Sequence, residues 1–525
     1  MRPPRRFTAG VVLLAVALLA ACGTGGPKGS GPGRFSAAIP EPSSLLPANY
    51  SEVFGAQVVS ALFTQLVTFD PETSDVTLAV AKSVESEDNR NWTVELKDGW
   101  TFHNGDPVTA HSFVNAWNFA ANPKNAQLNS YVFDRIDGYD EVADGRAETL
   151  RGLKVVSNSK FTIRLDKQFS QFEMLLGYPA FSPLPDVAFQ DPKAFNEAPI
   201  GNGPLKMRGT WVHDESIKLD RYDDYAGTPA KATGVDFRIY QEFTAAYNDL
   251  LAGNLDVLQS IPNANLSTAR EQFDDRYFQV PSGRMEYLGF PLKNEKFANR
   301  DVRKAISMAV DRKSVTKAIF QNTRTPATGY VPPVVPGAAR NPCGATCRFD
   351  PAAAKALFEE AGGIEGNSFT IGYSVDGDNK EWVEAVAHQI SDSLDIDVAT
   401  KPYEKLSILL DDLSKGKVDT AFRTAWTFYF PSVENYLTPI FRKSSGENFS
   451  GYYDADFERL LDEGNAATDP EVATQKYNEA ERVLLDDMPY LPMWYQETAG
   501  AHSKRVSDVV VDPFRRLHVE NVVVS

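Results

Sequence analysis

Cysteine is nearly absent from this chain, with three residues in 525: Cys22, Cys343 and Cys347. Histidine is scarce too, and the six (His103, His111, His213, His388, His502, His518) never pair at metal-ligand spacing. They read as surface residues, with His103 and His111 flanking a turn into a helix. No Gly-x-Ser-x-Gly, His-Glu-x-x-His or Gly-x-x-x-x-Gly-Lys pattern occurs, so nucleophile-elbow, zinc-protease and phosphate-loop chemistry have no support. Ser-x-x-Lys is found at Ser157–Lys160 and Ser314–Lys317, without the partner motifs of a penicillin-type acylase. Carboxylates are plentiful, and a carboxylate pair has no positive signal. The reading is of a protein that is not an enzyme and needs no cofactor or metal. Basic charge is in deficit, 53 Lys and Arg against 70 Asp and Glu. Such a surface repels nucleic acid and anionic lipid, so no nucleic-acid partner is expected. Long apolar runs are missing as well, apart from Val11–Ala21.

That one run is informative. Arg2, Arg5 and Arg6 precede it and small residues lead from it into Cys22, the three-part pattern of an export signal. It is too short for a bilayer core of about 30 Å. Leu19-Ala20-Ala21-Cys22 resembles a bacterial lipobox, which implies a signal peptide over 1–21 and a lipid on Cys22. Residues 22–33 hold six glycines between 23 and 33 and read as a flexible tether, reaching about 18 Å. Losing the leader moves the net charge from −17 to −20.

About 500 mature residues exceed what a single core supports, so two or three domains are expected. Strand character lies in Phe35–Ile39, Trp92–Leu96, Phe161–Leu165, Ile217–Leu219, Val235–Tyr240 and Phe369–Tyr373, with turn pairs at Asp98-Gly99 and Asn104-Gly105. Helical periodicity covers Ser51–Leu66, Ala110–Ala120, Asn299–Phe320, Pro351–Ala361, Glu381–Leu394 and Glu471–Asp487. Strand and helix alternate most clearly between 369 and 424, an α/β layer. Cys343 and Cys347 stand in a loop rich in proline and glycine, and read as a small-loop disulfide in an oxidising compartment.

The stretch Trp92-Thr-Val-Glu-Leu-Lys-Asp-Gly-Trp-Thr-Phe-His-Asn-Gly-Asp-Pro-Val-Thr-Ala-His-Ser-Phe113 resembles the signature of the family 5 extracellular solute-binding proteins of ABC importers. Four further segments match in family order: Pro42–Pro47, Gly201–Lys206, Asn299–Arg312 and Asp487–Tyr495. The resemblance implies an α/β, two-lobed periplasmic-binding-protein-like (type II) fold with an inserted extra subdomain, its lobes joined by a hinge. Lobe I would hold 34–285 plus 495–525, with the inserted subdomain at about 75–190; lobe II would hold 286–494. The implied function is an extracytoplasmic lipoprotein, acting as a monomer at the membrane surface. It would capture peptides or peptide-like solutes and hand them to an ABC permease and its ATPase.

The same resemblance maps a ligand site. Arg423-Thr-Ala-Trp-Thr-Phe-Tyr429 is similar to the family's binding segment, which places Ala425, Trp426 and Thr427 against the ligand backbone. Asn49, Tyr50, Ser51, Glu52 and Val53 map onto the facing loop, and Tyr131 onto the inserted subdomain. The family's aspartate for the ligand ammonium falls on Tyr429, which carries no charge at neutral pH. Glu52 and Glu434 are the candidate replacements; otherwise the ligand lacks a free amine there. Trp426 and Tyr429 are expected in the cleft and Phe430 in the core. Arg423 either meets a ligand carboxylate or belongs to a structural ion pair. A non-peptide solute (oligosaccharide, metal chelate, modified amino acid) and a secreted hydrolase are the competing readings.

Overall fold

The computed structural model describes residues 33–375 and 379–525. The expected leader, Cys22 and all of the tether but Gly33 lie outside the described residues. In chain order, the elements that build the site begin with β1 (Arg34–Ile39) and α1 (Val53–Leu62). A small sheet follows from β2 (Ala81–Glu85), β3 (Asn91–Leu96), β4 (Leu153–Ser157) and β5 (Lys160–Arg164), with α2 (Ala110–Ala121) between β3 and β4. The chain then forms β6 (Leu205–Met207), β7 (Ser216–Arg221), β8 (Gly234–Ile239), β9 (Val257–Leu258) and the long β10 (Tyr277–Gly289). Next come α3 (Arg300–Met308), α4 (Arg312–Ala318), β11 (Arg324–Pro326) and α5 (Pro351–Glu360). The alternating unit is β12 (Ser368–Ser374), α6 (Asn379–Leu394), β13 (Asp397–Tyr403), α7 (Leu406–Ser414) and β14 (Ala421–Thr427). Helices α8 (Glu434–Phe441), α9 (Ala455–Ala466) and α10 (Pro470–Asp487) lead to the long β15 (Tyr490–His502).

One eleven-stranded sheet runs β13-β12-β14-β10-β15-β9-β1-β8-β7-β6, with β11 paired to β15. Its spine is the antiparallel pair β10–β15. Tyr277 to Pro281 pair with Ala501 to Glu497, and after a bulge Met285 to Gly289 pair with Tyr495 to Tyr490. Apolar residues form two large cores. One gathers Phe35 through Val257 with Val506–Val522, the other Met285 through Tyr495. These are the cores of two lobes, and β10 and β15 connect them. At the bulge a Cβ on Gly283 would stand 2.1 Å from the Phe428 ring, so the crossing admits only glycine there.

Local chemistry explains the ends of the helices. Helix α1 stops at Leu62, short of the expected Leu66, because the Gly201-Asn202-Gly203 turn docks on its end. Gly203 N donates to Leu62 O at 2.8 Å, and Asn202 Oδ1 accepts from Thr64 N at 3.0 Å. A Cβ on Gly201 would lie 1.9 Å from Leu62 O. The helix expected over Asn299–Phe320 is two helices. Apolar spacing continues through the break, but Asp311 accepts from Ser314 N at 3.0 Å and starts α4 afresh. Thr109 enters α2 as expected, its N–H donating to Ser112 Oγ at 3.1 Å. Cys343 and Cys347 are joined by a disulfide, their Cα atoms 5.6 Å apart.

Two histidines are not the surface residues expected. His103 Nδ1 accepts from Gly201 N at 3.1 Å and Nε2 faces Gly203 O at 3.2 Å, the neutral Nε2–H form bridging the turn. Burial holds its pKa down to about 4. His518 lies between Asp512 and Glu520, 3.3 and 2.8 Å away. Burial opposes its charge, but the two carboxylates outweigh burial and push its pKa up to about 10.

A group whose folded pKa is depressed stabilises fully above its unfolded pKa, and loses that contribution as pH falls through the folded value. His103 therefore costs stability between about pH 6.5 and about 4. Urea unfolding of the wild type and His103→Gln across that window should give curves that converge as pH falls. Parallel curves would mean that His103 titrates normally.

Candidate ligand-binding site

Strand β14 is half open. On one side its residues Thr427 to Phe422 pair with Arg284 to Gly289 of β10. On the other, β12 pairs only with Ala421 and Phe422. From Arg423 to Thr427 that second edge has no strand partner among the described residues. Such an edge presents backbone N–H and C=O groups to any extended chain laid beside it. Side chains alternate across the strand, with Arg423, Ala425 and Thr427 on one face and Thr424 and Trp426 on the other.

The Trp426 face is aromatic. Trp426 Nε1 donates to Asn435 O at 2.7 Å, and Asn435 Oδ1 accepts from Tyr429 N at 2.8 Å, which fixes the turn after the strand. The Tyr429 ring lies 5.3 Å from Trp426, 5.4 Å from Tyr178 and 6.1 Å from Tyr131, and Tyr178 is 6.3 Å from Tyr50. Tyr131 donates its hydroxyl hydrogen to the Tyr429 hydroxyl at 3.1 Å. Burial raises the pKa of all four tyrosines, so they stay neutral. The facing loop is tied in: Asn49 Oδ1 accepts from Leu128 N at 3.2 Å, and Tyr50 O from Asn129 Nδ2 at 2.8 Å. Thus Asn49, Tyr50, Tyr131, Trp426 and Tyr429 come together from distant segments, and Ala425 and Thr427 lie along the open edge.

Other expected residues are engaged elsewhere. Glu52 accepts from Ser43 N at 3.0 Å, Ser43 Oγ at 2.7 Å and Ser51 Oγ at 2.9 Å, so Ser51 and Glu52 form a turn of their own ahead of Val53. Glu434 is fully buried and pairs with Arg135 at 3.2 Å. Neither acid hydrogen-bonds to Tyr429 among the described residues. Phe430 is buried as expected, but in the core of the other lobe, packing on Phe169 with ring centres 6.1 Å apart. One acid the sequence did not single out is Glu447. Its charge is felt by both Tyr131 and Tyr429, and burial raises its own pKa.

The opposite face carries charge. Arg423 Nη2 meets Glu286 Oε2 at 2.5 Å, and Arg284 Nε meets Glu286 Oε1 at 3.1 Å. Burial would raise the Glu286 pKa, but Arg423, Arg284 and Arg324 outweigh it and hold the carboxyl below its ordinary value. The Arg423 expectation of a structural ion pair is thus met by Glu286. Around this pair a cavity of about 390 Å³ is lined by residues of β10, β11, β12, β14, β15, α6, α7 and the C-terminal segment. Two larger depressions, about 550 and 600 Å³, lie along α10 and the Pro333–Asn341 loop, and share no lining residue with it. Among the described residues no group of three or more His, Cys, Asp or Glu side chains is placed to hold a metal, and no helix is long and apolar enough to cross a membrane.

The family model described as bacterial extracellular solute-binding proteins, family 5 Middle, matches residues 75–448, well over half of the chain. The chain belongs to this family. Oligopeptide-binding protein OppA of Bacillus subtilis (strain 168) is 24% identical over 97% of this chain and 98% of its own length. The probable deoxycholate-binding periplasmic protein YgiS of Escherichia coli (strain K12) is 25% identical, covering 87% of this chain and 86% of its own. Among solved structures, the periplasmic murein tripeptide binding protein MppA in its unliganded open form superposes with a TM-score of 0.82. It is 23% identical and covers 94% and 97% of the two chains. The family 5 fold is two-lobed, as the two cores here are.

Removing the carboxylate that serves the buried Arg423 and the half-buried Arg284 should be severe. Glu286→Gln is expected to lower the unfolding free energy by about 3–5 kcal/mol in urea titrations. A loss under about 1 kcal/mol would show that water already screens the arginines.

Proposed function

We propose that this protein captures peptides between its two lobes and delivers them to an ABC permease, carrying out no reaction itself. The observation that carries this reading is the edge of β14, Arg423–Thr427, which has no strand partner among the described residues and lies between an aromatic cluster and a charged cavity. Main-chain pairing along that edge gives affinity without reading side chains, which suits a receptor for varied peptides. The printed function of OppA supports the peptide, and family membership supports extracytoplasmic work.

In this reading lobe I spans 34–285 and 495–525, lobe II spans 286–494, and β10 and β15 form the hinge that closes the trap. Lipid on Cys22 holds a monomer at the outer face of the cell membrane, within reach of its transporter. A second reading, a ligand without a free amine, rests on Tyr429. A buried ammonium without a carboxylate loses about 3–5 kcal/mol, a hundredfold or more in affinity. YgiS supports a wider ligand range within the family.

Mass spectrometry of the solute that co-purifies with the protein should find peptides. N-acetylation of such a peptide should weaken its binding less than tenfold by calorimetry. A hundredfold loss would reveal a working ammonium site, and Glu447→Gln would then identify Glu447 as its acid. Turnover of the peptide would overturn the binding-only role.

A further inference from the structure

The bulge of β10 gives its backbone to a segment outside the sheet. Pairing with β15 breaks between Pro281 and Met285. Inside that gap Gly283 N donates to Pro513 O at 2.9 Å, and Gly283 O accepts from the Tyr436 hydroxyl. Pro513 belongs to the C-terminal segment, in a tight turn whose stem is the bridge between Val511 and Leu517. Asp512 closes this turn. Its carbonyl oxygen accepts from Arg515 N at 2.8 Å, and its carboxylate accepts from Arg516 N at 2.8 Å. Arg515 takes a φ of +69°, a left-handed conformation that residues other than glycine rarely adopt. Such strain persists only where the surroundings enforce it, and it gathers at functional sites.

The turn is rooted in the first lobe. Val511 and Leu517 are buried in that lobe's core. Leu517 N donates to Gln57 Oε1 at 2.6 Å, and Leu517 O accepts from Gln57 Nε2 at 2.8 Å, both on α1. Arg516 Nη1 donates to Ser60 Oγ of the same helix at 3.1 Å. From this root the half-buried Phe514 reaches towards the other lobe. Its ring lies 5.4 Å from that of Phe69, which packs on the first core. On its other side it meets Phe428 of the second core edge to face, with ring centres 4.5 Å apart. The Arg516 guanidinium covers it, 4.3 Å from the ring centre. Phe428 is also the ring that leaves no room for a side chain at Gly283. The bulge, Phe428 and Phe514 therefore meet at one point, where the long strands pass from one core to the other.

We propose that Phe514 is a positioning residue for ligand capture: a stop, held out by the first lobe, against which the second lobe rests. The stop rests on the reading of a trap that closes about β10 and β15. Contacts at a pivot set the resting angle of the two arms while leaving the cleft between them free. The left-handed Arg515 lets the chain reverse at once, so Phe514 stands at the tip of the turn with no slack behind it. A trap that swings without a stop is competent to bind for less of the time, and its apparent affinity falls by that fraction.

Pulsed dipolar spectroscopy of the ligand-free, full-length protein tests the stop. Spin labels are carried by keto-bearing residues substituted at the exposed positions Lys218 on β7 and Glu359 on α5, one on each lobe. Phe514→Ala should broaden the distribution of distances between the lobes about twofold, with near-UV circular dichroism unchanged. Phe514→Leu should fall between Phe514→Ala and the wild type, and it serves for the same comparison should the alanine variant not fold. In calorimetry with penta-alanine as the probe, Phe514→Ala should weaken binding about tenfold. A distribution as narrow as that of the wild type would overturn the stop, as would broadening accompanied by loss of the near-UV signal. Broadening with unchanged affinity would overturn its part in capture. Wild-type distances that stay fixed while penta-alanine binds would overturn the closing trap itself. If the wild type binds no penta-alanine, the peptide reading falls and the distances alone decide the stop.

Discussion

The antiparallel pairing of β10 with β15 is the constraint on which the rest of the molecule depends. These two thirteen-residue strands meet from opposite ends of the second half of the chain and carry it between two separate cores. Their bulge around Gly283 lets the pair bend where the lobes meet. The close approach of Phe428 makes glycine obligatory at that bend. The same pair presents Arg284, Glu286, Trp494 and Gln496 on one face, so a structural crossing is also the floor of a cavity.

Next to that floor, β14 parts from β12 after Phe422 and leaves an edge without a strand partner among the described residues. Soluble proteins usually cover or blunt such edges, because they invite pairing with other chains. Here the edge lies between an aromatic cluster and an arginine-lined cavity. The two faces differ in chemistry: neutral tyrosines and Trp426 on one, cations on the other.

Much of the fold was readable because its signals are local. The turn-and-helix signature from Trp92 to Phe113 and the alternation from 369 to 424 depend on residues adjacent in sequence, and both appear as expected. The helix break at Asp311 was hidden by apolar spacing that runs straight through it. Strand β10 was obscured by Pro281 and Gly283, whose roles emerge only against a partner some two hundred residues away. The family's binding segment pointed to Trp426 and Tyr429, and the fold sets Tyr429 between Trp426 and Tyr131. Composition does not reveal that Glu52 bonds a serine turn and that Glu434 is sealed against Arg135. The arginine-lined cavity was invisible, because seven elements and the C-terminal segment contribute to it. A paired Arg284-x-Glu286 inside an apolar strand was its one sequence trace.

The most direct test of the account is amide hydrogen exchange of the protein with and without its co-purifying ligand. Ligand should slow exchange at Thr424–Thr427, on the edge of β14 that faces away from β10, and at the Gly283 hinge as the lobes close. Protection confined to other surfaces, with the β14 edge exchanging at its free rate, would contradict strand addition as the mode of capture.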